Sequence, residues 1–280
     1  MLILLMLQFP DVTHEGVDLG FTLFMEALFP YLLPYLILTS WLIRITTTSS
    51  STSYFTFFQT YFISAIGGFP TGAATITQLT KQQVFTKRQA ALMLGICHSP
   101  SPLFLFGFVG QDLLQSTTFS WQYLLLIHSF SLCLLLVVYR LVAKDGVQTV
   151  APIKETTPFS NSIRDSAPTI LTVAITLIFF TTIYHVVIHS IESFTSLPTV
   201  FKLFTAGTLE MTNGLAMLQQ HLYGKWLLFF SVVLLTTQSF SIHLQVVVIA
   251  RTAQIPLRPY FIIRALYSLC IPILFALFFM

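Results

Sequence analysis

The sequence predicts an all-α, polytopic helical membrane protein: an inverted repeat of three crossings plus one re-entrant hairpin per half, with broken helices. Hydrophobic residues make up 55% of the 280 and charged residues only 8%, with a mean hydropathy of +0.82, too apolar for a soluble core with a solvated surface. The apolar stretches have the length of helices rather than of alternating strands, and a bilayer admits only helices or closed barrels. Glycine, proline and hydroxyl-bearing breakers then recur at matching places in the two halves.

In order, Met1–Phe9 reads as a short apolar anchor, lacking the basic start and small-residue cleavage site of a signal peptide, and ended by Pro10-Asp11. Leu19–Ile43 is the first full span; it contains Glu26 and is kinked by Pro30 and Pro34. Arg44 closes it, and Thr46–Ser53 reads as a loop. Tyr54–Leu79 is long enough to cross but is split by Gly67–Gly72. Gln89–Leu114 is broken at Cys97–Pro102, and Phe119–Val142 is uninterrupted. Lys144–Ser166 is the polar linker. Pro168–Ile191 is whole, Leu197–Leu222 is broken at Glu210–Gly214, Trp226–Ala250 is broken at Thr236–Ser241, and Pro259–Phe279 is whole.

The order whole, broken, broken, whole therefore occurs twice. Residues 1–280 form a single transmembrane domain, with 11–143 as the first repeat, 144–166 as a cytoplasmic linker and 167–280 as the second repeat. Charge placement selects the topology. If Tyr54–Leu79 and Leu197–Leu222 each enter and leave on one side, then Arg44, Lys81, Lys87, Arg88, Arg140, Lys144, Lys154, Arg164, Arg251, Arg258 and Arg264 share a face. Only Lys202 and Lys225 of the 13 basic residues then oppose them. Such an asymmetry marks the cytoplasmic side and puts the N-terminus outside. Asp11, Glu15, Asp18, Asp112 and Glu192 fall on the outer side.

The breaks are where chemistry is expected. Each starts a half-helix whose first N–H groups lack intrahelical partners and whose dipole presents roughly half a positive charge. Ser99 or Ser101, Thr212 or Asn213, and Ser239 or Ser241 are suitable caps, with Thr71 the only such residue at the first hairpin tip. With no Lys or Arg expected at that depth, an anionic or strongly polar ligand would be held by dipoles, hydroxyls and amides. The substrate-binding set is Gly68, Phe69, Pro70, Thr71, Gly72, His98, Ser99, Ser101, Glu210, Thr212, Asn213, Gly214, Gln238, Ser239 and Ser241. The carbonyls that end the preceding half-helices could instead hold Na⁺ or H₃O⁺, and the sequence leaves both uses open.

Glu210, the acidic residue at a break, is a proton carrier or a hydrogen-bond partner of the ligand, against the plainer reading of a carboxylate at the wet mouth of a hairpin. His98 and His243 could bind an anion or titrate, although packing is the commoner role. Phe69 and Phe240 could stack on a planar ligand. The other phenylalanines read mostly as lipid-facing filler, and Cys97, Cys133 and Cys270 as small core residues. His185 and His189 are spaced i, i+4 but lack the glutamate of HExxH and a third ligand, so no metal site is expected. With no GxSxG and no GxxxxGK[ST], neither an enzyme nor ATP-driven coupling is expected, and no cofactor is called for.

Gly67–Ala73 with Lys81-Gln82-Gln83, and Cys97–Phe104, resemble bacterial sporulation integral membrane proteins of the nucleoside-recognition, or gate-domain, group. Leu209–Gly214, Ser239–Gln245, Arg258-Pro259-Tyr260 and Arg264 resemble the second half of that family, and Phe29–Pro34 its first span. His98 stands where the family usually has Asn, Ala74 where it often has Lys, and the middle linker and N-terminal segment are short. The resemblance implies a fold like the core of concentrative nucleoside transporters. It also implies a role in endospore maturation, with dipicolinate, a planar dianion, as the proposed solute. The expected function is movement of a small polar, planar, anionic solute across a bacterial cell or forespore membrane. The alternatives are ion-coupled nucleoside or organic-solute transport, and a non-transporting structural or regulatory membrane protein of sporulation. Its partners are the solute and the lipid bilayer, with a homo-oligomer or a sporulation membrane protein also admitted, and not nucleic acid.

Overall fold

A computed structural model describes residues 1–46, 54–142 and 157–280, and the described residues are helices and short connections with no strand. Among the described residues, five stretches are long and apolar enough to cross a membrane: Pro10–Ile45, Thr117–Val142, Pro158–Glu192, Gly224–Arg251 and Arg258–Phe279. The chain is an all-α, polytopic integral membrane protein. The expected crossing Gln89–Leu114 consists of shorter pieces either side of its break.

After a short helix α1 (Leu2–Gln8), α2 (Pro10–Leu23) passes through a π segment (Phe24–Leu28) into α3 (Phe29–Thr46). The helix thus starts at Pro10, nine residues before the expected Leu19. Polar residues do not end a helix that extends beyond the bilayer, and proline at the first position lacks only an N–H that would have no partner there. The π segment lies where Pro30 cannot donate back, and Phe29 N–H reaches the Phe24 carbonyl.

Next come α4 (Tyr54–Gly67), α5 (Thr71–Lys81), α6 (Lys87–Ile96), α7 (Pro102–Phe104) with a π segment (Leu105–Leu113), and α8 (Thr117–Val142). The second half holds α9 (Pro158–Glu192), α10 (Thr199–Leu209), α11 (Met211–His221), α12 (Gly224–Thr237), α13 (Phe240–Arg251) and α14 (Arg258–Phe279). α9 includes Pro158–Ser166, the end of the expected linker, as helix. Residues 47–53 and 143–156, and with them Lys144, Lys154, most of the Thr/Ser loop and most of the linker, lie outside the described residues.

Two close approaches show that α4–α5 and α10–α11 fold back as hairpins. A Cβ built on Gly72 would lie 3.4 Å from the Ser64 Cβ, and one on Gly214 would lie 2.3 Å from the Gly207 Cα. α2–α3 and α9 run antiparallel. Gly16 abuts Thr182, Gly20 abuts Ile178 and Arg44 pairs with Asp165. Gly16 and Gly20 form a GxxxG pair that lets the two backbones touch. α8 and α14 are antiparallel too: Phe119 stacks edge-on against Phe275 at 5.7 Å, and the Ser131 and Tyr267 hydroxyls are 2.6 Å apart.

Contacts gather basic residues at one end. Lys87 donates to Gln254 at 2.9 Å, Gln89 reaches the Val142 carbonyl beside Arg140, and Arg44 pairs with Asp165. At the far end Lys202 pairs with Glu192, and Lys225 donates to the Met280 carbonyl at 2.6 Å. Arg264, expected on the basic face, departs from this pattern: it is 2% exposed, within the core.

Candidate functional site

Between α3, α5, α9 and α13 lies a vestibule of about 370 Å³. Its exposed rim carries Lys81, Asp165 and Thr252, and its buried wall carries Thr39, Thr71, Thr75 and Thr169. Ten residues of α5 separate Lys81 from Thr71, so at helical rise the vestibule reaches about 15 Å inward, half of a hydrocarbon core of about 30 Å. Thr71 stands at its floor, at the start of a helix that has no side-chain cap.

The first hairpin tip packs on the break after α6. Gly68, at φ +67°, is pressed so closely on Ser101 that a Cβ would lie 2.3 Å from its backbone nitrogen. Phe69 N–H donates to the Ser99 carbonyl at 2.9 Å, and its ring lies 5.5 Å from the fully buried His98 ring. Gly72 abuts the Cys97 carbonyl, where a Cβ would come within 1.8 Å. Ser99 therefore supplies a backbone acceptor, while the Ser101 hydroxyl caps α7 by accepting from Phe104 N–H at 3.2 Å.

Beyond the tip, Phe69, Pro70, Glu210, Thr212 and Gln245 border a cavity of about 30 Å³, room for a water or two. Glu210 caps α11: its carboxylate accepts from Asn213 N–H at 2.8 Å, so Thr212 and Asn213 are not the caps. This buried acid, 3% exposed, is held by the start of its own half-helix. Gly214 serves the crossing with Gly207. Ser239 caps α13 by accepting from Ile242 N–H at 3.4 Å, and Ser241 accepts from Gln245 at 3.4 Å. Gln245 also donates to Thr176 at 2.9 Å, bridging α13 to α9. Gln238, at φ +61°, donates to the His98 carbonyl at 3.3 Å.

Thr71 caps in the other direction from that expected: its hydroxyl donates to the Gly67 carbonyl at 3.3 Å and so serves the end of α4. A hydroxyl on the first helical residue points back along the previous helix, whereas a cap must precede the first turn. Of the four half-helix starts only that of α5 is left without a side-chain cap. Phe240 is 57% exposed and faces outward, away from any ligand; His243 is tied to Tyr260 Oη at 2.8 Å and to the Thr237 carbonyl at 3.0 Å. Cys133 is exposed and Cys270 half-buried, so only Cys97 is a core cysteine, whereas Phe57 and Phe104, read as filler, are buried.

Sequence reading missed the vestibule wall and Arg264. The signal for the wall beyond Thr71 was present: Thr71, Thr75 and Gln78 fall at i, i+4, i+7, as Thr169 and Thr172 fall at i, i+3, two polar stripes on membrane helices. The charge-based topology put Arg264 on the basic face with Arg258, but six residues of helix place it about 9 Å further along α14. Comparisons with family models, curated proteins and solved structures find no match to this chain.

Proposed function

We propose that this protein is a transporter or facilitator of a small polar, anionic solute that enters from the basic, cytoplasmic end. The observation that carries the reading is the hydroxyl-lined vestibule, open where Lys81 stands and ending about 15 Å further along α5 at Thr71. Lys81 at the rim and the uncapped start of α5 at the floor favour a negative charge, and threonine hydroxyls can replace its water. Past the floor, the Gln245–Thr176 bridge and the small Glu210 cavity support reading the described conformation as open to one side. The antiparallel pairing of α2–α3 with α9, and of α8 with α14, supports reading the halves as inverted repeats that exchange this opening between faces.

The family resemblance supplies dipicolinate, in endospore formation, as the first solute to try, with nucleosides as the alternative. The test is uptake of each into proteoliposomes against protein-free vesicles. Flux with dipicolinate that falls in Thr71→Val and Thr75→Val supports the reading. Flux no greater than that of empty vesicles for both solute classes would leave a non-transporting membrane protein.

A further inference from the structure

The two carbonyl-bearing helix ends at the centre of the protein are already occupied. α12 ends at Thr237, so Thr236 belongs to its last turn, while α6 ends at Ile96 and His98 lies two residues beyond it, within the break. Arg264 of α14 reaches both: Nη1 donates to the His98 carbonyl at 2.9 Å and Nη2 to the Thr236 carbonyl at 2.7 Å. Its guanidinium carbon also sits 4.7 Å from the centroid of the Tyr267 ring. Among the described residues no carboxylate forms an ion pair with it; Glu210 is buried too, and the little-exposed Arg44 side chain is paired with Asp165.

A bare guanidinium in a membrane core would be costly by several kcal/mol. The helix ends offset that cost. The C-terminus of α12 is equivalent to roughly half a negative charge, and the His98 carbonyl adds an acceptor from the neighbouring break, so the two together offset much of one positive charge. Arg is suited to this task because its planar fork presents donors in two directions at once, which a lysine ammonium does not do with fixed geometry. Gln238, donating to the same His98 carbonyl, completes the lid over these oxygens. The carbonyl ends of broken helices are where such architectures bind a coupling cation.

We propose that Arg264 is a resident cation: it fills the carbonyl crossing of the two central breaks, so solute movement is not coupled to Na⁺ or another cation at that crossing. This rests on the transport reading for its consequence, but the occupancy itself is testable without solute. In detergent, the wild-type protein is expected to melt at the same temperature in NaCl, KCl and choline chloride at equal ionic strength. Arg264→Ala should melt about 10 °C lower, and millimolar guanidinium should recover part of that loss in this variant but not shift the wild type. If the alanine variant does not fold, Arg264→Lys against Arg264→Met makes the comparison: Lys retains the charge and should melt well above Met, which retains length only. Equal melting of Lys and Met variants, or a saturable Na⁺ stabilisation of the wild type, overturns the proposal. In proteoliposomes, flux that rises with Na⁺ at fixed ionic strength overturns it while leaving transport standing. Absence of flux with the guanidinium rescue intact removes transport and leaves the resident cation.

Discussion

Gly72 and Cys97 meet backbone to backbone: a methyl group on Gly72 would stand 1.8 Å from the Cys97 carbonyl oxygen. That contact joins the tip of one helical hairpin to the break in the next helix, so the vestibule floor and the His98 segment are packed directly on each other. The obstacle is backbone, which cannot swing aside as a side chain can.

Gly72→Ala is therefore expected to cost more than the 1–3 kcal/mol typical of overpacking, about that range being the lower bound. Gly224→Ala is the control, since that glycine has φ +59° but nothing within 4 Å of a built Cβ; it should cost only the left-handed backbone strain, about 1–2 kcal/mol. Detergent melting by fluorescence-detected size exclusion compares the two, and equal losses would contradict the packing.

The two-ended distribution of charge predicts labelling. In a variant without native cysteines, Lys87→Cys and Arg251→Cys should react with an impermeant maleimide from the same face, and Lys225→Cys from the other. The 2.9 Å contact of Lys87 with Gln254 requires the first pair to agree. Opposite labelling of 87 and 251 would be incompatible with the α4–α5 hairpin.

Thr75→Val removes one hydroxyl from the vestibule wall without changing volume much. The lost hydrogen bond is worth about 1 kcal/mol, so apparent affinity for the transported solute should fall roughly fivefold. Thr205→Val, whose exposed hydroxyl bonds its own helix at Phe201, should leave flux unchanged. Similar effects in both variants would take the solute out of the vestibule.

Glu210 separates capping from proton transfer. Glu210→Gln keeps an oxygen able to accept from Asn213 N–H, and flux is expected to stay within about twofold of wild type. Glu210→Ala loses the cap, about 1 kcal/mol, and should melt roughly 2–4 °C lower. Loss of flux in the Gln variant with an unchanged melting temperature would assign the carboxylate a proton-carrying role instead.

Much of the helical layout was legible because the breakers are chemically blunt: Gly67-Gly68 with Pro70, and Ser99 to Pro102, cannot continue a helix whatever surrounds them. Helix starts in water were less legible. Asp11, Glu15 and Asp18 lower hydropathy, yet α2 runs through them because Gly16 and Gly20 seat it on α9, a packing motif that hydropathy does not weigh. Capping was legible as a choice between neighbours, not as an answer. Ser101 and Ser239 were among the candidates, but Glu210 took the place of Thr212 because it precedes the first turn and its longer side chain returns to Asn213. Arg264 was illegible because its partners are main-chain carbonyls 28 and 166 residues away, which carry no side-chain signature.

The depth of the vestibule also sets where the membrane's electric field falls. In the transport reading, water filling the vestibule to Thr71 would carry the potential of the basic side inward and concentrate the transmembrane voltage between the hairpin tip and the far end. A charge moving past Phe69 and Glu210 would then cross nearly the full voltage in about 15 Å, exchanging about 2.3 kcal/mol per 100 mV. In that reading the short passage, rather than the vestibule, would be the voltage-sensitive step for an anionic solute.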